Sequence, residues 1–391
     1  MANTTSIETF LAEALRAIRA GNTMPWATEL DGGSGIDIAA DKVWSQIDYH
    51  GIALLLHKQA ALLVDWPQSL LKRIADEARM VALWELTHAK LVSRILAKLD
   101  AAEIESVMLK GTALAYSVYD DPAERRRGDS DLLVRAADRG TAIQILKEEG
   151  WYRKDDPHGL YFQEGWLNAS AGQFVHAIDL HWEPSDRPIL QRILTSDQFF
   201  RHKRPLARLS ESAAMSDPAL TMIHCAINQK WHSVYGYFTE EGRIFGPRRL
   251  MWSVDFDLLS RQMSAEDWAR LTELAGSRGV GPLIAEALRG AREDLHTDLD
   301  ERVLTELDAR PIDPNLAKFL STSDSLTSFG IDLKAASSWR YRWRLIADRA
   351  LPPREHLIEK YPGASGWPTI LLRARMILGT AGRVAKRLVA R

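Results

Sequence analysis

The sequence predicts a mixed α+β protein, in which a small α/β domain with a mixed sheet is flanked by N-terminal and C-terminal helical regions. Three observations lead there. Apolar residues recur at helical spacing through residues 1–100 and again beyond residue 205. Between those limits, short β-rich runs separated by Gly, Asp and Pro alternate with helical periods. The 391-residue chain is longer than one hydrophobic core usually organises, yet its 46% hydrophobic and 26% charged residues are those of a globular protein. The expected organisation is an N-terminal helical region (1–100), an α/β domain (101–205), a helical domain (206–300) and a C-terminal helical region with a basic tail (301–391).

The elements follow in order. Phe10, Leu11, Leu15 and Ile18 mark a helix over Ile7–Ile18, and Ser69–Leu99 carries a longer one. Asp31-Gly32-Gly33-Ser34-Gly35 between them reads as a flexible link. The helical region as a whole reads as a cap over the next domain. Ile104–Leu109 is the first strand, followed by a helix over Thr112–Tyr119 with Thr112 at or near its N-cap and Asp120-Asp121-Pro122 at its end. Asp129–Val134 is the second strand and Ala137–Glu149 a helix with Ala142, Ile145 and Leu146 on its apolar face. Trp151–Arg153, Leu160–Trp166 and Gln173–Trp182 are further strands. Asp217-Pro218 opens a helix through Asn228, and Arg248–Arg261 and Ala265–Arg278 are helices after it. Trp339–Arg391 holds twelve Lys or Arg against three Asp or Glu.

Composition excludes several classes. A net charge of -2 is not that of a chain built to coat nucleic acid. Cys225 is the single cysteine, so neither an internal disulfide nor a Cys-rich zinc site can form. The N-terminus lacks the basic and apolar regions of a signal peptide, and the most apolar run, Gly51–Val64, is broken by His57 and Lys58. The expectation is a cytoplasmic protein with no integral membrane association, and Asn168-Ala169-Ser170 is then a chance sequon.

Chemistry concentrates between Val107 and Trp182. On a strand, Asp129 and Asp131 share one face and Ser130 takes the other. Two carboxylates so placed repel each other unless a cation lies between them, and hard divalent ions such as Mg2+ suit carboxylates together with phosphates. Asp179 sits mid-strand in Val175–Leu180; paired beside the first strand, it would reach the same ions. Such a two-ion site aligns an attacking oxygen with an α-phosphorus, and Asp179 is also placed to accept the attacking hydroxyl's proton.

Lys110-Gly111-Thr112, between a strand and a helix, supplies an approach for phosphate. Lys110 adds charge to a triphosphate and Thr112 a hydroxyl donor. It is not a Walker loop, because the upstream glycine is missing and the Gly-Lys order is reversed. Arg125-Arg126-Arg127 precedes the Asp pair; Arg125 or Arg127 is the candidate phosphate-holding guanidinium, against the alternative of a solvated charged face.

These motifs resemble the DNA polymerase β-like nucleotidyltransferase superfamily, with its glycine turn, Asp-x-Asp strand and third-strand Asp. More narrowly, Leu109-Lys110-Gly111-Thr112-Ala113-Leu114, Arg125 through Val134 and Asp179-Leu180-His181-Trp182 are similar to an uncharacterised bacterial nucleotidyltransferase family, as are His224 and Arg249–Asp255 downstream. Ser130 departs from the pattern, where an apolar residue is usual. The resemblance implies transfer of a nucleoside monophosphate from an NTP, with Mg2+ or Mn2+, to a peptide or protein side chain, a small molecule or an RNA end. Gene neighbourhoods in such families hint at a peptide. The Lys-Gly-Thr-Ala-Leu turn is also similar to nucleotidyltransferase toxins of the AbiEii type, which would make tRNA the acceptor. A rival of another class is a non-catalytic nucleotide-sensing or partner-binding module on the same fold.

The remaining features are weaker. His181 shares the Asp179 face and is a candidate phosphate or carboxylate contact, while a structural strand histidine is the plainer alternative. His224 and Asn228 share a helix face; Asp255 and Asp257, two apart on a helix, do not make a second metal pair. The basic C-terminal segment reads as a docked terminal helix, a contact for RNA, or an amphipathic face for an acidic surface.

Overall fold

Alternation along one buried strand divides this chain into layers. Leu132 and Val134 belong to one apolar cluster, whereas Leu133 between them belongs to another. The computed structural model describes residues 6–31, 35–154, 162–170, 172, 174–239, 242–244, 248–351, 354–364 and 366–389. Of the expected elements, Gly32–Ser34, Leu160, Tyr161 and Gln173 lie outside the described residues.

A seven-stranded mixed sheet forms the centre: β1 (Ser106–Leu109), β2 (Ser130–Val134), β3 (Tyr152–Arg153), β4 (Gln163–Asn168), β5 (His176–His181), β6 (Lys203–Pro205) and β7 (Ala214–Ser216), in the order β3-β4-β5-β2-β1-β7-β6. β2 runs parallel to β5, and β1 runs parallel to β7; the other neighbours are antiparallel. The hairpin of β6 and β7 had no counterpart in the sequence reading. Its strands are three residues each, too short to show an alternating pattern.

Helices cover both faces. α1 (Ile7–Arg19), α2 (Ile36–His50) and the 34-residue α3 (Gln68–Ala101) precede the sheet, and α4 (Lys110–Ser117) and α5 (Arg139–Glu148) lie within it. After it come α6 (Pro218–Tyr235), α7 (Leu250–Gln262), α8 (Ala265–Arg278) and α9 (Gly281–Leu295). α3 and α5 place Val92, Ile95, Leu96, Ala142 and Leu146 against Met108, Leu132 and Ile178. The opposite face, with Val107, Leu109 and Leu133, joins a larger cluster of Phe10 and Leu15 from α1, Ile47 from α2, Ile223 from α6 and Leu288 from α9. α10 (Glu301–Ala309), α11 (Pro314–Phe319) and α12 (Ser325–Ala335) add Leu304, Leu307, Phe319 and Ile331 to that cluster. α13 (Trp339–Ala350), α14 (Arg354–Lys360) and α15 (Thr369–Val389) end the chain.

Two boundaries differ from expectation for physical reasons. α4 begins at Lys110, whose left-handed backbone (φ 47°) turns the chain from strand into helix without a spacer. Thr112 therefore lies inside the first turn rather than at the N-cap. α6 runs on to Tyr235, where Gly236 at φ 70° stops it.

The arginine run is a staple rather than a solvated face. Arg125 Nε donates to Asp255 Oδ1 on α7 at 2.7 Å, and the Tyr119 hydroxyl donates to the same oxygen at 2.7 Å. Arg126 pairs with Asp48 and Glu77, and Arg127 with Glu85 at 2.7 Å. Three consecutive residues thus tie the sheet to α7, α2 and α3. Asp255 is buried, so Asp255→Ala leaves Arg125 without its counter-charge. Urea denaturation of that variant is expected to show a loss of about 3–5 kcal/mol; a loss below about 1 kcal/mol would reduce the staple to a surface-grade ion pair.

Candidate active site

The parallel pairing of β2 with β5 sets Asp131 directly opposite Asp179. β1 places Leu109 opposite Asp131 on the other side, so Lys110, the next residue, overhangs the pair. Lys110 Nζ donates to Asp131 Oδ1 at 2.6 Å, and His181 Nε2 lies 2.8 Å from the same oxygen. Both bonds fall on one oxygen of the carboxylate. Ligand atoms of Asp131, Asp179 and His181 all lie within 4.8 Å of one another. Asp131 and His181 are buried, Asp179 is half-buried, and Asp129 stands exposed at the mouth of the strand. On the far side of Asp179, β4 presents Gly165 in register. A Cβ there would sit 3.4 Å from Asp179 Oδ1 and 3.3 Å from Lys154 Cβ, so this glycine keeps room beside the carboxylate.

The charges are unbalanced. Asp129 keeps contact with solvent at the mouth of the strand, yet its carboxyl lies among closely packed protein atoms; that partial desolvation, then the negative charges of Asp131 and Asp179, pushes it up to about 7. Burial and Asp131 raise Asp179 as well. Asp131 moves the other way: burial works against its charged form, but Lys110 and the His181 hydrogen bond hold it well below the usual carboxylate range. Lys110 is raised, since its carboxylate neighbours, Asp131 foremost, outweigh the effect of burial. The cationic neighbours do not offset the burial and mutual repulsion of Asp129 and Asp179, and two carboxyls raised above their ordinary values are the signature of that deficit. A divalent cation would remove that deficit, and the hard oxygen donors suit one.

Behind this face runs a buried polar chain. Ser130 points away from the carboxylates, with its Oγ 2.7 Å from His88 Nε2 and 2.8 Å from Thr112 Oγ1. Arg127 Nε donates to Thr112 Oγ1 at 3.0 Å, and its other arm donates to Glu85 Oε1, which also accepts from the Tyr116 hydroxyl at 2.6 Å. Burial, then the charge of Arg127, lowers His88 well below its ordinary value, so a neutral imidazole meets Ser130. Trp84 stacks on His88 with centroids 4.2 Å apart. The strand and the Lys-Gly-Thr turn are held from beneath by this chain.

The structure therefore brings Lys110, Asp129, Asp131, Asp179 and His181 together on one face. Gly111 lies in the first turn of α4, which no side chain caps among the described residues. A Cβ on Gly111 would meet Arg127 Cδ at 3.6 Å and nothing closer, so protein packing does not demand the glycine. Thr112 is buried, and its hydroxyl is spent on Ser130 and Arg127. Arg125 and Arg127 are each held by a buried carboxylate. His224 packs edge-on against Phe199, with centroids 5.4 Å apart, and burial followed by the charge of Lys110 lowers it to about 3. Sequence reasoning missed Gly165, Lys154, His88 and Glu85, which no local motif marks. Asp186, after β5, was missed too; burial raises it, although the Phe162 N–H bonds its carboxylate at 3.0 Å.

Family comparison matches residues 37–296 to a family described as Uncharacterised nucleotidyltransferase. No curated protein matches the chain.

The raised Asp129 carboxyl has a pH signature. A group whose folded value, about 7, exceeds its ordinary 3.8 stabilises the cation-free protein fully below the lower value and loses that contribution as pH rises through the upper one. The melting midpoint without divalent cation is expected to fall over that window, and Asp129→Asn to lack this component. Cation affinity should rise with pH to about 7 and then level off. Calorimetric titrations at several pH values would contradict the account if affinity did not vary with pH.

Proposed function

The chain belongs to this uncharacterised nucleotidyltransferase family, and from that premise we propose that it transfers a nucleoside monophosphate from an NTP to an acceptor hydroxyl, with release of pyrophosphate. The observation that carries the reading is the register of β2 against β5, which gathers Asp131 and Asp179 under Lys110 beside the first turn of α4.

Asp129, Asp131 and Asp179 hold the cations in this reading. When bound, divalent ions, Mg2+ foremost with Mn2+ as the alternative, neutralise the carboxylates and draw charge from the phosphoryl oxygens. Lys110 exchanges Asp131 for phosphate, and the first-turn amides of Gly111 and Thr112 receive the triphosphate. Arg127 supports that turn through Thr112, and Arg125 anchors it to α7. His181 keeps Asp131 oriented. Asp179 accepts the proton of the acceptor hydroxyl while the hydroxyl oxygen bonds to the α-phosphorus and the bond from that phosphorus to the departing pyrophosphate breaks. The acceptor is a peptide or protein side chain, a small molecule or an RNA end.

The test incubates the protein with α-labelled NTPs, Mg2+ and fractionated lysate, following label transfer and pyrophosphate release. Asp131→Ala and Asp179→Ala should each lower transfer by several kcal/mol of barrier, on the order of a thousandfold. Nucleotide binding with no label transferred in any fraction would favour the non-catalytic sensor instead. Gly111→Ala separates fold from function. It should leave the unfolding free energy unchanged or raised by the roughly 0.5–1 kcal/mol a helix gains from alanine, while nucleotide affinity falls about tenfold because the added methyl blocks phosphate approach. Unaltered affinity would remove the turn from the binding site.

A further inference from the structure

The chain leaves the main core after α12, whose Ala335 is the last residue of the large cluster. Beyond it, Leu357, Ala364, Leu372 and Met376 form a small core of their own between α14 and α15. What this appendage turns outward is apolar. Ile370, Leu371, Ile377 and Leu378 on α15 are 70%, 50%, 47% and 72% exposed. At about 100° per residue these four share an arc of roughly 120°, with Leu372 and Met376 away from it and Arg373 and Arg375 on its two borders. α13 repeats the arrangement. Trp339, Trp343 and Ile346 are 67%, 62% and 36% exposed at helical spacing, and Arg340, Arg342 and Arg344 flank them.

Exposed aliphatic and indole side chains in such stripes mark a docking face. The surrounding charge identifies the partner: Trp339–Arg391 carries twelve Lys or Arg against three Asp or Glu, and α15 has no acidic residue, on a chain whose net charge is -2. We infer that α13 and α15 dock this protein on an anionic lipid surface. Trp settles at headgroup depth, Ile and Leu enter the acyl boundary, and the bordering arginines reach back to lipid phosphates along their own apolar stems. RNA would match the arginines but leaves four large aliphatic side chains in water. Among the described residues no helix is long and apolar enough to cross a membrane, so the docking is peripheral. This inference stands independently of the nucleotidyl transfer.

The experiment uses the full chain with phosphatidylcholine vesicles, with and without phosphatidylglycerol. Co-sedimentation is expected with the anionic vesicles, weakening as salt rises, with a blue shift of tryptophan emission. Ile370→Glu/Leu378→Glu and Trp339→Ala/Trp343→Ala should each reduce partitioning by about tenfold or more. Arg373→Gln/Arg375→Gln should weaken it and Arg373→Lys/Arg375→Lys restore it, which distinguishes lost charge from lost folding. Failure to bind either vesicle, equal binding to neutral vesicles, or full binding by the glutamate variant would overturn the inference. So would an RNA complex or a dimer that the same substitutions abolish while vesicle binding is absent.

Discussion

Repulsion among carboxylates at the open end of two parallel strands is the constraint around which this molecule is arranged. β2 and β5 could place their side chains in either parity, yet the observed register puts Asp131 and Asp179 face to face with Asp129 beside them. In water such an arrangement would cost little; with Asp131 buried and Asp179 half-buried it is expensive. The hydrogen bonds of Lys110 and His181 go to one carboxyl, and both bind the same oxygen of Asp131. The two other carboxyls remain raised toward their protonated forms. A fold that retains such an imbalance has a built-in affinity for positive charge.

Behind the face runs a connected set of hydrogen bonds. Ser130, at first sight the residue out of place, joins His88 to Thr112, and Thr112 passes the link to Arg127 and Glu85. The chain fastens strand β2, the turn into α4 and the long helix α3 to one another. Two side-chain hydroxyls and a neutral imidazole carry the link directly beneath the strand, and the Arg127–Glu85 ion pair closes it. Arg125 and Arg126 extend the fastening to α7 and α2, so the carboxylate-bearing face is tied to the helical layers.

Much of this was legible in the sequence, because it depends on periodicity and short motifs. Period-two alternation placed Asp129 and Asp131 on one face, the Lys110–Thr112 turn fell between strand and helix, and Asp179 fell on a later strand. The mixed sheet and the flanking helices followed from the same patterns. What stayed hidden depends on long-range partners. No local signal says that Arg125 meets Asp255 across 130 positions, that Arg127 turns toward Glu85, or that Gly165 stands beside Asp179. The left-handed Lys110 was equally invisible, since glycine next to it is the residue that ordinarily takes such a turn. The sequence left the basic tail open between a docked terminal helix, an RNA contact and an amphipathic face, and which of its apolar residues face water emerged only with the small separate core of α14 and α15.

The most direct test of the central claim is a crystal structure soaked with Mn2+ and a non-hydrolysable NTP, with anomalous scattering used to place the metal. The account predicts metal density bridging Asp129, Asp131 and Asp179, Lys110 drawn from Asp131 toward phosphate, and the triphosphate against the first turn of α4. Metal bound elsewhere, or nucleotide seated away from that turn with the Lys110–Asp131 pair intact, would contradict it.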